Sequence, residues 1–172
     1  MSNGRLYVCS MTKVVDTVRS TGARSLVTIL TAGASLVRPC EIARERHLRI
    51  AVSDIDAPTD GHILPGEEHI DRLIAFLEEW DQCNPLVIHC YAGVSRSPAA
   101  AFVAACALAP HRCEFELARD LRRISPTATP NRRLVALADR RLGREGRMVA
   151  AVAAIGRGAD CYEGAPFALE LA

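Results

Sequence analysis

The segment from Cys90 to Ser97 combines residue types that could hold a phosphate-like anion and attack it. Cys90 and Arg96 enclose an uncharged loop made of Tyr91, Ala92, Gly93, Val94 and Ser95. A cysteine thiolate is a nucleophile, and the planar fork of an arginine binds two phosphate oxygens at once. We therefore predict that this loop and Arg96 bind phosphate, with Cys90 as the nucleophile.

The spacing of cysteine and arginine alone does not identify this site, because arginine is abundant and lysine occurs once, at Lys13. An arginine follows a cysteine by six positions four times: Cys40/Arg46, Cys90/Arg96, Cys106/Arg112 and Cys113/Arg119. For the bare spacing, a structural cysteine beside a surface arginine is the expected interpretation. The segments after Cys40 and Cys113 contain glutamates that would repel phosphate, and the segment after Cys106 crosses a predicted helix end. Only Cys90 follows a predicted strand and precedes an uncharged loop with a glycine.

Each part of the Cys90 segment has a physical purpose in anion binding. Gly93 can supply the backbone dihedrals with which a loop turns its N–H groups toward an anion. The following helix adds N–H donors and the positive end of its dipole. This positive field favours the thiolate of Cys90, and Ser97 can donate a hydrogen bond to the sulfur. His89 precedes Cys90 on the strand, so its side chain should point the other way and orient the loop rather than carry a proton.

Strands and helices alternate in the predicted secondary structure. Apolar and β-branched runs predict strands at 6–9, 25–30, 48–52 and 86–88, and helical spacing predicts helices at 67–80, 98–109, 114–124, 132–142 and 148–155. This alternation predicts an α/β fold with a central, mostly parallel sheet of about four to five strands flanked by helices. Ligands of such sheets sit beyond the carboxyl ends of the strands. The loop 91–95 lies at such an end, between a central strand and a helix.

Length, charge and cysteine content narrow the class of protein. The 172 residues predict one domain, 1–172, in which 145–172 is an extension of unassigned role. A net charge of +1 does not suggest nucleic acid or a membrane as partner. Seven cysteines, no CxxC pair and no signal-peptide pattern predict free thiols, no structural zinc and a cytoplasmic location. The arginine bias is attributed mainly to genome composition.

The string HCYAGVSRS at 89–97 resembles the signature loop of protein tyrosine phosphatases. The compact size resembles the dual-specificity branch, and so does the Thr129-Pro130-Asn131 turn. The resemblance covers about 53–142 and implies the α/β fold predicted above. The longer string is similar to a small bacterial group of predicted tyrosine phosphatases, and the arginine bias fits a GC-rich bacterium.

The resemblance implies hydrolysis through a phosphocysteine intermediate, with no metal or organic cofactor. Cys90 is then the nucleophile, Arg96 binds the phosphate and Ser97 helps the sulfur leave. The family also uses a general acid on an upstream loop. Asp54 fits this role best because it follows the 48–52 strand and precedes a proline, with Asp56 second and Asp60 a further candidate. The tryptophan-proline-aspartate motif of the larger family members is absent.

Residues near the turn that ends in Asn131 have two interpretations each. Asn131 is predicted mainly as a helix cap, with a role in shaping the site as the alternative. The pairs Arg122–Arg123 and Arg132–Arg133 either flank the cleft or are solvated surface residues.

The substrate class remains open between several possibilities. A phosphorylated protein or peptide ranks first, with phosphotyrosine ahead of phosphoserine and phosphothreonine. A lipid or small-molecule phosphate ranks second, because phosphoinositide phosphatases often carry lysines in the loop and this loop has none. A phosphate-binding module without turnover and a rhodanese-like sulfur transferase are the alternatives from other functional classes. The oligomeric state is not predicted.

Overall fold

Five strands form one sheet in the computed structural model, which describes residues 4–171. They are β1 Arg5–Ser10, β2 Ser25–Leu30, β3 His47–Ala51, β4 Leu86–Cys90 and β5 Phe167–Glu170. The strand order is β3-β2-β4-β1-β5. The first four strands are parallel, and β5 pairs antiparallel with β1. The predicted fold class, a mostly parallel sheet flanked by helices, is confirmed.

Six α-helices in the described part of the chain cover the two faces of the sheet. They are α1 Val14–Thr21, α2 Glu67–Glu79, α3 Arg96–Leu108, α4 Glu114–Ile124, α5 Arg132–Arg141 and α6 Arg147–Ile155. The larger hydrophobic core joins the sheet to α2–α6, and the smaller one joins the opposite face to α1. Within residues 4–171, no helix is both long enough and apolar enough to cross a bilayer.

The alanine-rich helix α3 lies at the centre of the larger core. Every residue from Arg96 to Cys106 is buried, because the sheet and neighbouring helices surround the helix and its small side chains allow close approach. The helix begins at Arg96, two residues before the predicted start at 98. Pro98 is compatible with this start, since the first-turn N–H groups have no partner within the helix.

One α-helix and one strand were not predicted from the sequence. Helix α1 buries Val14, Thr17 and Val18, which share one face, but its β-branched residues have low helix propensity. Strand β5 has four residues that extend the sheet beside β1. All the strands and helices that were predicted are present, and their observed bounds differ from the predicted ones by at most two residues.

The topology makes β4 the central strand of the sheet. Strand β4 lies between β1 and β2, parallel to both. The carboxyl end of β4 is Cys90, which pairs in register with Ser10 at the end of β1. The loop from Tyr91 to Ser95 then leads directly into α3.

Candidate functional site

The sulfur of Cys90 is buried and has two hydrogen-bonding neighbours. Cys90 is 2% exposed. Its Sγ lies 3.0 Å from the Ser97 hydroxyl oxygen and accepts the Gly93 N–H at 3.3 Å. The loop backbone and the first turn of α3 therefore each place one polar group against this sulfur.

The carbonyl groups of the loop are tied to its outer side. Four of them accept backbone N–H groups from other parts of the chain: Tyr91 from Met11 at 3.1 Å, Ala92 from Gly164 at 2.8 Å, Val94 from Thr129 at 2.8 Å, and Ser95 from Asn131 at 3.2 Å. With these carbonyls bonded to other segments, the loop N–H groups are the backbone groups left to bind an anion, and the Gly93 N–H already meets the sulfur. A loop whose N–H groups converge in this way binds anions.

Gly93 cannot be replaced without moving this loop. Its φ is +72°, and a Cβ there would lie 2.9 Å from the backbone of both Cys9 and Ser10. Contacts this short with backbone atoms cannot be relieved by a side-chain rotation. The loop conformation therefore depends on glycine at this position.

We expect Gly93→Ala to weaken binding of tungstate, a phosphate-like oxyanion, by at least about tenfold, since misplacement by about 1 Å can cost on the order of a hundredfold in function. Gly143→Ala is the matched control, because Gly143 also has a positive φ, +63°, with nothing within 4 Å of the added Cβ. Both variants should lose about 1 kcal/mol of stability from the strained dihedral. Calorimetric titration and thermal unfolding measure the two effects, and equal tungstate affinity in both variants would contradict the role assigned to Gly93.

Arg96 presents a buried nitrogen that has no partner. Its Nη1 donates to the Val52 carbonyl at 2.9 Å and to the Thr31 hydroxyl at 3.2 Å. Its Nε is the one buried side-chain nitrogen or oxygen within residues 4–171 that lacks a hydrogen bond. Leaving such a group unpaired costs about 1–3 kcal/mol. An anionic oxygen above the loop would satisfy it.

Asp54 lies beside the loop and is tied to it. Its Oδ1 accepts a hydrogen bond from the Ser95 hydroxyl at 2.7 Å and from the Asn131 amide at 2.9 Å. Asp56 and Asp60 are exposed and make no hydrogen bond to the loop within the described residues. Of the three candidate acids, the structure brings Asp54 to the Cys90 loop.

Asn131 caps a helix and also contacts the site. Its Oδ1 accepts the Leu134 N–H at 3.0 Å, which caps α5. Its Nδ2 donates to Asp54 and to the Ile55 carbonyl, the latter at 3.2 Å. Asn131 is therefore the helix cap that was predicted, and it also contacts Asp54, the candidate acid.

His89 holds the end of strand β4 from the opposite face of the sheet. Its Nδ1 lies 3.1 Å from the Cys90 carbonyl oxygen and its Nε2 lies 2.8 Å from the Thr28 hydroxyl. A carbonyl can only accept, so Nδ1 carries the proton and Nε2 accepts from Thr28. Burial lowers the pKa of His89 to about 4. His89 is therefore neutral at pH 7 and positions the strand end.

The other three cysteine–arginine pairs are not arranged for this chemistry. Cys106 lies inside α3, and burial raises the pKa of its thiol to about 12. Arg46 and Arg112 form ion pairs with aspartates, and Arg119 donates to a carbonyl of its own helix. Each of these arginines is therefore bonded to a partner outside the Cys90 loop.

The segment 156–166 supports the loop from a direction that the sequence did not indicate. The Gly164 N–H binds the Ala92 carbonyl, and the Gly158 N–H binds the Thr129 hydroxyl at 3.0 Å. The Glu163 carboxylate accepts hydrogen bonds from the hydroxyl groups of Ser10 and Thr12. Its three glycines and Pro166 mark a loop, but they do not say what it contacts. This segment belongs to the predicted extension 145–172, and it contacts the Cys90 loop through the hydrogen bond from Gly164 to Ala92.

The donor set of the site suits an anion rather than a cation. Arg96, the loop N–H groups and the helix end all present positive charge or donors. Nowhere in residues 4–171 do three or more histidine, cysteine, aspartate or glutamate side chains gather closely enough to hold a metal ion.

Solved structures share this fold at low sequence identity. A mouse putative dual-specificity phosphatase, complexed with zinc tungstate, has a TM-score of 0.60 at 18% identity, over 87% of this chain and 86% of that one. Human DUSP28 has a TM-score of 0.59 at 17% identity, over 78% and 86%. The PTP-2 phosphatase of Cydia pomonella has a TM-score of 0.59 at 20% identity, over 77% and 83%. No family model and no curated protein matches this chain. The chain therefore has a fold like that of the dual-specificity phosphatases.

Proposed function

We propose that this chain hydrolyses phosphomonoesters through a phosphocysteine formed on Cys90. The observation that carries this proposal is the pairing of a buried sulfur that has two hydrogen-bonding neighbours with the buried, unpaired Nε of Arg96. One group is prepared to attack phosphorus and the other to bind its oxygens. The fold shared with dual-specificity phosphatases supports the proposal.

In the first step, the Cys90 thiolate attacks phosphorus and a P–S bond forms as the bond to the leaving oxygen breaks. Arg96 and the loop N–H groups stabilise the charge on the equatorial oxygens. Asp54 gives its proton to the leaving oxygen, so that an alcohol or phenol departs rather than its anion.

In the second step, water attacks the phosphocysteine and Asp54 accepts a proton from it. The P–S bond breaks and free phosphate is released. The Ser97 hydroxyl, 3.0 Å from the sulfur, stabilises the thiolate as it leaves. No metal or organic cofactor takes part in the proposed cycle.

The contacts of Asp54 support its assignment as the acid. Ser95 and Asn131 both bind Oδ1, which orients the carboxyl and leaves Oδ2 for the leaving oxygen. Asp54 is also exposed beside the loop, so a substrate can reach it. The contact with Ser95 ties the acid to the loop that carries the nucleophile.

We expect Asp54→Asn to slow substrates with poor leaving groups most. A general acid contributes about 10² to 10⁴ to the rate, so turnover of phenyl phosphate should fall by about a hundredfold or more. Dinitrophenyl phosphate needs little protonation, and its turnover should fall less than about tenfold. Steady-state kinetics on the two substrates measure the difference.

Asp56→Asn is the matched control, and it should behave like the unaltered protein on both substrates. In the pH profile of the Asp54→Asn variant, the alkaline limb should flatten, because that limb reports the essential acid. Leaving-group dependence in Asp56→Asn instead would transfer the role to Asp56.

We place phosphotyrosine in proteins or peptides first among the substrates, with phosphoserine and phosphothreonine next. Tyr91 supports this order, since this residue is 60% exposed next to the nucleophile in the chain and its ring can pack against an aromatic leaving group. The same proposal assigns the chain to the compact dual-specificity-like branch, on the basis of the resemblance. It also includes a bacterial source, which rests on the arginine bias, and a cytoplasmic location, which rests on the free cysteines.

Turnover of an aryl phosphate in the presence of a metal chelator tests the proposal. A panel of phosphotyrosine, phosphoserine and phosphothreonine peptides, with a phosphoinositide, then ranks the substrate classes. Tungstate binding without any turnover would identify a phosphate-binding module instead. Sulfur transfer from thiosulfate would identify a rhodanese-like enzyme.

A further inference from the structure

A second cationic site lies on the edge of the sheet. A cavity of about 460 Å³ opens there, and we call it the arginine cleft; its lining residues are Arg38, Arg44, His47, Leu48, Arg49 and Arg72. Its volume is in the range of small-molecule sites. Four of its six lining residues carry a permanent positive charge, and none is acidic.

The arginine cleft is separate from the Cys90 loop. His47, Leu48 and Arg49 begin the edge strand β3, whereas the Val52 carbonyl that holds Arg96 follows the other end of that strand. Arg38 and Arg44 come from the connection between β2 and β3, and Arg72 comes from α2. Three separate elements therefore converge on the cleft.

The four arginines lack acidic partners. Half of the twenty arginines of the chain form ion pairs with described carboxylates. None of the four cleft arginines does so within residues 4–171. Like charges gathered in one cavity repel each other. An anion is the group that would relieve this repulsion.

Three of the four guanidinium groups are held in place by backbone carbonyls. The terminal nitrogens of Arg49 and Arg72 donate to Leu36 O at 3.3 Å and to Arg49 O at 2.7 Å, and Arg38 donates to Ile42 O. Each uses one terminal nitrogen in this contact and keeps its other donors for a ligand. Groups held before binding lose less conformational freedom when a ligand arrives.

His47 contributes an acceptor rather than a charge. Its Nε2 lies 2.8 Å from the Thr28 hydroxyl, which already donates its proton to His89. Nε2 of His47 therefore carries the proton, and Nδ1 is an acceptor. Burial and then the charge of Arg49 lower the pKa of His47 to about 4. The positive charge of the cleft at pH 7 comes from its arginines.

We propose that the arginine cleft binds a small molecule carrying two or more linked phosphate groups. An arginine fork binds phosphate oxygens in pairs, so four forks exceed what a single phosphate can use. The cavity also has room for more than one phosphate. This site does not depend on the chemistry proposed for Cys90.

Hydrogen exchange with inorganic pyrophosphate as the probe tests the proposal, because it separates the two anion sites along the chain. Pyrophosphate should slow backbone exchange in peptides covering 38–50, whether or not it also slows exchange in the loop peptide covering 90–97. Arg49→Gln with Arg72→Gln should weaken this protection at least tenfold. Arg44→Gln should also weaken it, and the Arg44 side chain makes no described hydrogen bond whose loss could disturb the fold.

Arg119→Gln is the matched control, since Arg119 is also exposed and donates to a backbone carbonyl at 3.3 Å. It should bind pyrophosphate like the unaltered protein. Protection confined to 90–97 would overturn the proposal. Equal weakening by Arg119→Gln would also overturn it. So would an affinity of the cleft for orthophosphate, or for a polyglutamate peptide, that equals its affinity for pyrophosphate.

Discussion

Cys90→Ser should lower turnover of an aryl phosphate by about a thousandfold or more while leaving tungstate binding nearly intact. Serine places a neutral hydroxyl where the reaction needs a thiolate, and loss of a nucleophile costs several orders of magnitude. The loop carbonyls stay tied to Met11, Gly164 and Thr129, so the concave N–H groups remain. Steady-state kinetics and calorimetric titration with tungstate measure the two effects.

Cys113→Ser is the control for this substitution. Cys113 belongs to one of the other cysteine–arginine pairs and occupies the N-cap position of α4, where serine is favoured. This variant should keep full turnover. Residual activity of Cys90→Ser within tenfold of the unaltered protein would remove Cys90 from the mechanism.

Arg96→Lys should lower both turnover and tungstate affinity, with turnover falling by about a hundredfold or more. The guanidinium holds the Val52 carbonyl with Nη1 and leaves Nε for the anion. A lysine ammonium is a point charge that cannot reproduce this division of contacts. The loss of affinity distinguishes this variant from Cys90→Ser, in which turnover falls while affinity is retained.

Arg46→Lys, Arg112→Lys and Arg119→Lys are the matched controls, because each arginine follows a cysteine by the same spacing. The structure places all three outside the Cys90 loop. They should keep turnover within about twofold, because within residues 4–171 none of them contacts the Cys90 loop and substitutions away from such features have small effects. If one of them lost activity as Arg96→Lys does while remaining folded, the loop would have been misassigned.

The sequence predicted those parts of the fold that carry local signals. Strand β2 and helix α4 have the predicted bounds, because one is a run of strand-forming residues and the other has regular apolar spacing. Helix α1 was missed since Val14, Thr17 and Val18 resemble strand residues. Strand β5 was missed because its four residues are specified by pairing with β1, far away in sequence.

The site shows the same division between local and distant information. Cys90, Gly93 and Arg96 lie within seven positions, and this uncharged segment between a predicted strand and a predicted helix was sufficient to propose an anion site. The contact between Asp54 and Asn131 joins residues 77 positions apart. The support that Gly164 gives to Ala92 is also long-range. Sheet topology creates these contacts, and no short segment of sequence encodes them.

Trapping the covalent intermediate tests the central claim most directly. The protein is mixed with an aryl phosphate, quenched in acid within milliseconds, digested and analysed by mass spectrometry. We predict one phosphoryl group on the peptide containing Cys90, lost when the quench is delayed past substrate exhaustion and absent from Cys90→Ser. Turnover with no phosphoryl group on Cys90, or with the group on another residue, would contradict the account.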